Sequence, residues 1–415
     1  MVTTVAQFWN RNRIAGAVYV LLGLLAVLYF GVSNPAKNDV TLRLTADTSL
    51  TFGARPVIIV LGLVTVAVGV ALLAVLTARS HFAWTAGVAL GALVLAFLFW
   101  GTSLAKTLHT IPVEALLYGT LIAATPLIFG ALAGVLCERS GVVNINIEGQ
   151  LLVGAFAGAL VGTMTKSVWA GLIAAGVCGA LMAALLAVFA IKYLVDQVVL
   201  GVVLNVLAFG ITGVIYERLM QPNAAEYNNA GQFKPWEVPG LSDIPLLGPV
   251  LFRHNLFVYL ALALVAAITF ALFYTRWGLR TRAVGEHPTA ADTLGIKVRL
   301  VRYRNTIMGG FVAGLGGAML TIGAGVTFNK EMTAGKGFIA LAALIFGRWS
   351  PVGAMLAALL FGFADAMQQF LSSVISPVPS QFLQMAPYLA TLFAVAGLVG
   401  KVRAPAADGK PYVKG

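Results

Sequence analysis

Residues 113–165 read VEALLYGTLIAATPLIFGALAGVLCERSGVVNINIEGQLLVGAFAGALVGTMT. The stretch begins with an apolar run at 113–136, continues with a polar segment at 138–150 and ends with a shorter apolar run at 151–165. Because about 20 mainly apolar residues cross a bilayer as a helix, the first run predicts a membrane-spanning helix. After the polar segment, the shorter run predicts a short crossing or a half-helix.

Apolar runs of spanning length recur along the whole chain. They lie at 14–30, 56–77, 82–100, 113–136, 169–190, 198–216, 256–275, 305–327, 352–371 and 385–400. Two shorter runs, at 151–165 and 337–347, are interpreted as short crossings or half-helices. The predicted fold class is therefore all-α, a polytopic integral membrane protein with about 10–12 transmembrane helices and interrupted short helices.

A weak internal repeat accompanies this pattern. A long span, an interrupted polar stretch and a short apolar run occur at 113–165, and the same order occurs at 305–347. Paired interrupted segments in two halves of a chain are typical of a transport pathway.

The composition excludes most other classes of protein. Hydrophobic residues make up 60% of the 415 residues and charged residues only 10%, whereas a soluble domain carries about 25% charged residues. A soluble enzyme and a disordered chain are therefore excluded. The 27 basic residues against 15 acidic ones give a net charge of +12. In a membrane protein such an excess indicates cytoplasmic loops, so nucleic acid is not a predicted partner and membrane lipid is.

The distribution of the basic residues predicts the orientation. With twelve crossings and the N-terminus inside, 17 of the 27 basic residues fall on the inner side. Both termini are therefore predicted to be cytoplasmic.

Motifs of catalysis are missing from the sequence. It contains no Walker A, HExxH or GxSxG motif, and Cys137, Cys178 and the four histidines form no metal-ligand spacing. No catalytic residue, metal or cofactor is predicted, and the chain is not expected to be an enzyme. Energy for uphill transport would have to come from an ion gradient or from another subunit.

The polar segment carries the candidate residues of a solute pathway. Unwound backbone at membrane depth is tolerated only where protein or a water-filled cavity surrounds it. An amide inside the run at 198–216 likewise needs a hydrogen-bonding partner. The predicted pathway residues are Asn144, Asn146, Glu148, Gln150 and Asn205. The alternative is a plain cytoplasmic loop whose amides bridge helices, and Glu148 is expected to be structural, either pairing with Arg139 or capping the helix that follows.

A second informative segment lies at 276–304, where seven basic residues stand between two spans. Pro288 suits the first turn of a helix and Gly295 suits its left-handed end, so a short cytoplasmic helix is predicted between them. It is interpreted as a docking helix for a partner protein, or alternatively as a solvated helix near lipid head groups. Its candidate residues are Glu286, His287, Pro288, Ala290, Ala291, Asp292, Leu294 and Gly295.

Three motifs carry a family resemblance: ERSGVVNINIEGQLLVGAFAG at 138–158, RAVGEHPTAADTLGI at 282–296 and MTAGKGFIALAALIFGRWSPVGA at 332–354. They resemble the permease subunits of ABC importers in the branched-chain amino acid and ribose permease family, and most closely its nucleoside branch. The resemblance covers roughly 113–400. Asn146 stands where that branch often has Gly.

The resemblance implies an all-helical permease of the bacterial inner membrane that pairs with a second, related permease. Separate ATP-binding subunits would bind inside, and a substrate-binding lipoprotein would deliver the solute from outside. It places 282–296 at the ATPase contact and makes 138–150 a broken helix near the pathway.

The extent of the resemblance and the apolar runs together predict a division of the chain. Residues 1–112, which lie outside the resemblance, are expected to be an N-terminal extension of about three spans, and the alternating residues at 40–45 predict an extended excursion. Residues 113–403 would be the permease core, and the short polar stretch 404–415 a mobile cytoplasmic tail.

The leading hypothesis is an ATP-driven nucleoside importer. The same machinery carrying branched-chain amino acids or sugars is one alternative. An ion-coupled secondary transporter that uses Asp365 or Glu148 is another, and a structural membrane subunit without a pathway is a third.

Overall fold

The computed structural model describes residues 11–33, 38–74, 82–105, 109–374, 385 and 403–414. Within these ranges ten helices are long and apolar enough to cross a membrane. They include nine of the ten long predicted runs, and the tenth, at 385–400, lies almost entirely outside the described residues. The predicted all-α polytopic fold is confirmed.

Two compact units divide the chain: Met1–Tyr118 with Ala364–Gly400, and Gly119–Phe363 with Lys401–Gly415. The division falls within the two long helices Val113–Glu138 and Pro351–Val374.

The first unit contains three long helices and a small sheet. The helices are α1 (Arg11–Leu25, continued by a π-helical stretch at Ala26–Val32), α2 (Ala54–Ala74) and α3 (Phe82–Ser103). The strands are β1 (Asp39–Arg43), β2 (Ser49–Gly53) and β3 (Thr110–Pro112), in the order β2-β1-β3. β1 pairs antiparallel with β2 and parallel with β3, which confirms the extended excursion near 40–45.

The second unit holds the remaining elements. Its long helices are α4 (Val113–Glu138), α5 (Ile147–Thr165), α6 (Val168–Ala187), α7 (Gln197–Ile215), α10 (Leu256–Tyr274), α13 (Val298–Ala318) and α15 (Pro351–Val374). Shorter helices are α8 (Ala224–Tyr227), α9 (Leu247–Phe252), α11 (Arg276–Glu286), α12 (Pro288–Thr293) and α14 (Lys336–Phe346). β4 (Trp236–Glu237) and β5 (Arg253–His254) pair antiparallel in the segment between α8 and α10. π-helical turns extend α6, α7 and α13.

Glycines bring the backbones of α5, α6 and α13 together. A Cβ atom at Gly154 would overlap the backbone of Gly314, and one at Gly179 would overlap the carbonyl oxygen of Gly310. Lipid is as apolar as Leu, so helices in a membrane associate through such close backbone packing. These glycines therefore serve as helix contacts.

The two shorter apolar runs differ in structure. The run at 151–165 is the greater part of α5, a helix of 19 residues that begins at Ile147. The run at 337–347 corresponds to α14, which has only 11 residues.

The chain from Gly323 to α14 leads from one end of the second unit to the other. Gly323 lies at the start of α10, where its carbonyl oxygen accepts a hydrogen bond from Asn255 Nδ2 at 2.8 Å. Just beyond α14, the carbonyl oxygen of Trp349 accepts a hydrogen bond from Arg139 Nε at 2.8 Å. Arg139 in turn packs against Gly285 in α11, beyond the far end of α10. An irregular segment and the 11-residue helix α14 therefore connect the two ends of the second unit.

Candidate functional site

The break between α4 and α5 brings the predicted polar residues together. The chain leaves α4 at Glu138, and Gly141 takes a left-handed conformation with φ +87°. The backbone N–H of Val143 then donates to Gln197 Oε1 at 2.7 Å, at the start of α7. The break spans 139–146, so Glu148 and Gln150 lie in the first turn of α5 rather than in unwound chain.

Asn144 and Gln150 form a closed pair of amides. Asn144 Nδ2 donates to Gln150 Oε1 at 3.0 Å, and Gln150 Nε2 donates back to Asn144 Oδ1 at 3.2 Å. Asn144 Nδ2 also lies 3.5 Å from the sulfur of Cys137. Both amides are buried, and their reciprocal bonds hold the break to the first turn of α5.

Asn205 ties α7 to the same break. Its Oδ1 accepts from the backbone N–H of Gly149 at 2.7 Å, and its Nδ2 donates to the carbonyl oxygen of Ile145 at 3.0 Å. The predicted need of this intramembrane amide for a partner is met by backbone groups. Asn205 therefore fixes the broken helix in place.

Glu148 joins the two interrupted regions of the chain. Its Oε1 accepts from the backbone N–H of Gly335 at 2.9 Å, and its Oε2 accepts from that of Gly337 at 2.6 Å. These donors belong to the start of α14, where a carboxylate offsets the positive end of the helix dipole. Glu148 was expected to pair with Arg139 or to cap its own helix. It instead bonds to a helix that lies nearly 190 residues further along the chain.

Asn146 differs from the other predicted pathway residues. Its side chain is 0% exposed, and neither Nδ2 nor Oδ1 has a hydrogen-bond partner among the described residues. Its Oδ1 lies near Gly149, where a Cβ atom would come within 2.7 Å of it. Because a buried amide without partners costs free energy, Asn146 is the amide of this group with capacity left for a ligand or water.

Sequence reasoning did not single out Gly335 and Gly337, although both lie in the motif at 332–354. The sequence feature that could have identified them is the pair of glycines, which lies between a polar segment and a short apolar run. A side chain at Gly337 would collide with the backbone of Glu148, so the close approach of the two helix starts requires a glycine there.

The second predicted site lies at the end of the unit that contains Arg139. Pro288 stands in the first turn of α12 and Gly295 follows it with φ +80°, as predicted. The preceding residues form a further helix, α11, which the sequence analysis did not anticipate. The two helices meet at His287, where the ring Nδ1 lies 3.1 Å from Thr289 Oγ1.

The candidate docking residues divide into an inward and an outward set. Ala291 is 3% exposed and packs with Val284, Val298 and Tyr412, whereas Leu294 is 81% exposed. The expectation that Ala291 contacts a partner is therefore wrong, because the side chain is enclosed by this chain itself.

The remaining candidate docking residues differ in exposure. Glu286 accepts a hydrogen bond from the backbone N–H of Ala406. His287, Ala290, Leu294 and Gly295 are exposed, Pro288 is half-buried, and Asp292 is half-buried beside Tyr412.

The part of the chain that the structure describes contains no group of three or more His, Cys, Asp and Glu that could hold a metal ion. The arrangement can hold a polar solute by hydrogen bonds and can present a short helix to a partner.

Comparison with known proteins identifies the family of the chain. Residues 116–398 match the family described as branched-chain amino acid transport system / permease component. The guanosine ABC transporter permease protein NupQ of Bacillus subtilis is 42% identical over 71% of this chain and 95% of its own length. The nucleoside ABC transporter permease protein NupC of Lactococcus lactis is 38% identical over the same shares of both chains.

A putative glucose ABC transporter permease protein of Haloferax volcanii is 34% identical over 63% of this chain and 80% of its own length. No solved structure matches the chain significantly. The chain belongs to the family of permease components of branched-chain amino acid transport systems.

Proposed function

We propose that this chain is the transmembrane permease subunit of an ATP-driven importer for nucleosides. The observation that carries the proposal is the identity of 42% and 38% to permeases named for guanosine and for nucleosides, over 95% of their length. The chain itself is not an enzyme, and ATP hydrolysis belongs to a partner subunit.

The permease works with an ATP-binding subunit and a related permease subunit. A substrate-binding lipoprotein on the outside delivers the solute, and the two permeases form a heterodimer. The assembly lies in the bacterial inner membrane with both termini of this chain in the cytoplasm. The exposed apolar face of α7, which includes Val199, Val203 and Val206, contacts lipid.

The solute pathway borders the break between α4 and α5. Nucleosides are uncharged at neutral pH and carry several hydrogen-bond donors and acceptors, which a side-chain amide can meet without burying a charge. Asn146 supplies that amide, while Asn144, Gln150 and Asn205 hold the backbone around it. Glu148 keeps the start of α14 beside the pathway.

A binding screen and an uptake assay test the solute class. The purified lipoprotein is titrated with guanosine, uridine, glucose and leucine, and uptake of labelled guanosine by the reconstituted assembly is measured with each as competitor. Nucleosides should bind and compete. Binding and transport of glucose alone would instead favour a sugar importer, the class indicated by the relative from Haloferax volcanii.

Cysteine labelling tests the pathway. In a chain with Cys137→Ser and Cys178→Ser, Asn146→Cys should react with a small water-soluble thiol reagent, and the reaction should differ between nucleotide-free and ATP-trapped complexes. Asn144→Cys is the matched control, because the Asn144 amide is paired with Gln150. Normal uptake with Asn146→Cys inaccessible in both states would contradict the pathway assignment.

A further inference from the structure

The C-terminal segment, residues 403–414, packs against the rest of the second unit and differs from the mobile tail predicted from the sequence. Pro405, Ala407 and Tyr412 are buried. Turns formed by Asp408 N–H to Pro405 O and Lys410 N–H to Ala407 O give the segment a compact shape.

The segment contacts the junction of α11 and α12. The backbone N–H of Ala407 donates to the carbonyl oxygen of Gly285 at 2.8 Å, and that of Ala406 donates to Glu286 Oε2 at 3.3 Å. The Tyr412 side chain is 6% exposed and packs on Ala291, and Asp292 lies beside it. The segment therefore covers the inward face of α12.

Arg302 anchors the same segment to α13. Its guanidinium is buried and donates from Nη1 to the carbonyl oxygen of Lys410 at 2.9 Å and from Nη2 to that of Ala407 at 3.5 Å. Asp408 adds an attraction to Arg302 and lies next to the carboxyl group of Glu138. A buried arginine needs such partners, because leaving its charge unpaired in the interior is strongly destabilising.

The break after α4 is shaped to receive the segment. A Cβ atom at Gly141 would come within 2.7 Å of the Arg302 guanidinium and 3.0 Å of the carbonyl oxygen of Ala407. Gly409 has φ +71° and lies against Val143. One segment thus touches the broken helix, α13 and the α11–α12 junction.

We propose that the C-terminal segment positions α12 relative to the broken helix, with Tyr412 as the positioning residue that contacts α12. A helix of six residues is not stable by itself in water, so α12 depends on the surfaces that enclose it. The segment gives α12 a rigid connection to Glu138 and Val143, at the break that borders the pathway. The inference rests on the proposed function together with the further proposal that α12 contacts the ATP-binding subunit, as the family resemblance of residues 282–296 implies.

The test is the ratio of nucleoside transported to ATP hydrolysed by the complete reconstituted importer. Tyr412→Ala should lower this ratio by at least about fivefold, within the usual range of coupling between distant sites, while the ATP-binding subunit still co-purifies. Tyr412→Phe, which keeps the ring against Ala291, should retain a ratio close to that of the wild type. Val413→Ala is the matched control, because Val413 is 63% exposed in the same segment.

A wild-type ratio in Tyr412→Ala would overturn the inference, as would equal losses of uptake and hydrolysis with less assembled complex. Should Tyr412→Ala fail to reach the membrane, Tyr412→Leu carries the test, because it keeps apolar volume but lacks the ring that covers Ala291. Its ratio should fall below that of Tyr412→Phe, and a ratio equal to that of Tyr412→Phe would overturn the inference. A wild-type complex that hydrolyses no ATP would instead count against the proposed function.

Discussion

Glu148 is a buried carboxylate whose two oxygens accept hydrogen bonds from backbone N–H groups at the start of α14, a helix distant in sequence. Glu148→Ala leaves the N–H groups of Gly335 and Gly337 without their acceptor, and each unsatisfied buried donor costs about 1–3 kcal/mol. Glu148→Gln keeps one acceptor oxygen and should be intermediate. We therefore expect the melting temperature of the purified protein to fall in the order wild type, glutamine variant, alanine variant.

Glu217 provides the control for this prediction. It pairs with Lys330 at 2.7 Å on the surface, where an ion pair contributes little, so Glu217→Gln should melt close to the wild type. Equal melting temperatures for Glu148→Ala and Glu217→Gln would show that the bridge between α5 and α14 is not a stabilising contact.

Asp408 makes the attachment of the C-terminal segment depend on pH. Burial raises the pKa of Asp408 to about 7, although its bond to Glu138, the N–H of Gly409 and the charge of Arg302 act in the opposite direction. A detached Asp has a pKa of about 4, so the attached segment holds the proton more tightly. Attachment is therefore strongest at acidic pH and weakens as the pH rises through about 7.

Hydrogen exchange measures this dependence. After correction for intrinsic rates, protection of the backbone amides at 405–412 should be higher at pH 6 than at pH 8. Asp408→Asn removes the titrating group next to Glu138 and should reduce the difference. An unchanged difference in that variant would assign the pH dependence to another group.

Local chemistry identified the polar residues of the break but not their partners. Asn205 could be recognised as an amide that needs hydrogen bonds inside a span, and Glu148 as structural. Asn205 bonds to Gly149 and Ile145, and Glu148 bonds to Gly335 and Gly337. Helix packing brings these partners together from chain segments that are 56 to 189 residues apart. Asn146 and Asn144 are the same residue type in the same polar segment. Only the tertiary structure distinguishes their hydrogen bonding.

At the scale of elements, α12 was predictable because Pro288 and Gly295 mark its ends. The orientation of the helix was not predictable from six residues that include two alanines. It follows from Tyr412, which lies more than 110 residues away and covers Ala291. α11 was not anticipated because its four buried residues, Gly278, Thr281, Val284 and Gly285, include two glycines and a threonine.

A new charge on the outward face of α12 should affect partner binding, whereas a new charge on its inward face should affect the stability of the permease. Leu294→Asp should leave the amount and the melting temperature of the permease unchanged but reduce co-purification of the ATP-binding subunit, because Leu294 is exposed. Ala291→Asp should instead destabilise the permease itself, because a buried unpaired charge costs several kcal/mol.

Val413→Asp serves as the exposed control for both variants. The measurements are the yield of permease in membranes, its melting temperature and the ratio of ATP-binding subunit to permease after purification. Full co-purification with Leu294→Asp would contradict the assignment of the outward face of α12 to the ATPase contact.

At the scale of the whole molecule, composition and run lengths were sufficient to predict a polytopic helical protein. The run at 337–347 was left open between a short crossing and a half-helix, because an 11-residue apolar run is compatible with both. Contacts at the two ends of the segment from Gly323 through α14, to Asn255 and to Arg139, place these ends near opposite ends of α10, and such contacts are not encoded in hydropathy.

The energy source of the whole assembly is indicated by the relatives of the chain. These relatives are ABC transporter permeases, and the groups that hydrolyse ATP belong to a partner subunit. In proteoliposomes with the complete importer, collapsing proton and sodium gradients should leave nucleoside uptake unchanged, whereas vanadate should abolish it. Substitution of the Walker A lysine in the ATP-binding subunit should abolish uptake while the complex still assembles. Uptake by this chain alone, driven by an ion gradient, would contradict the assignment and would return Asp365 to consideration as a coupling carboxylate.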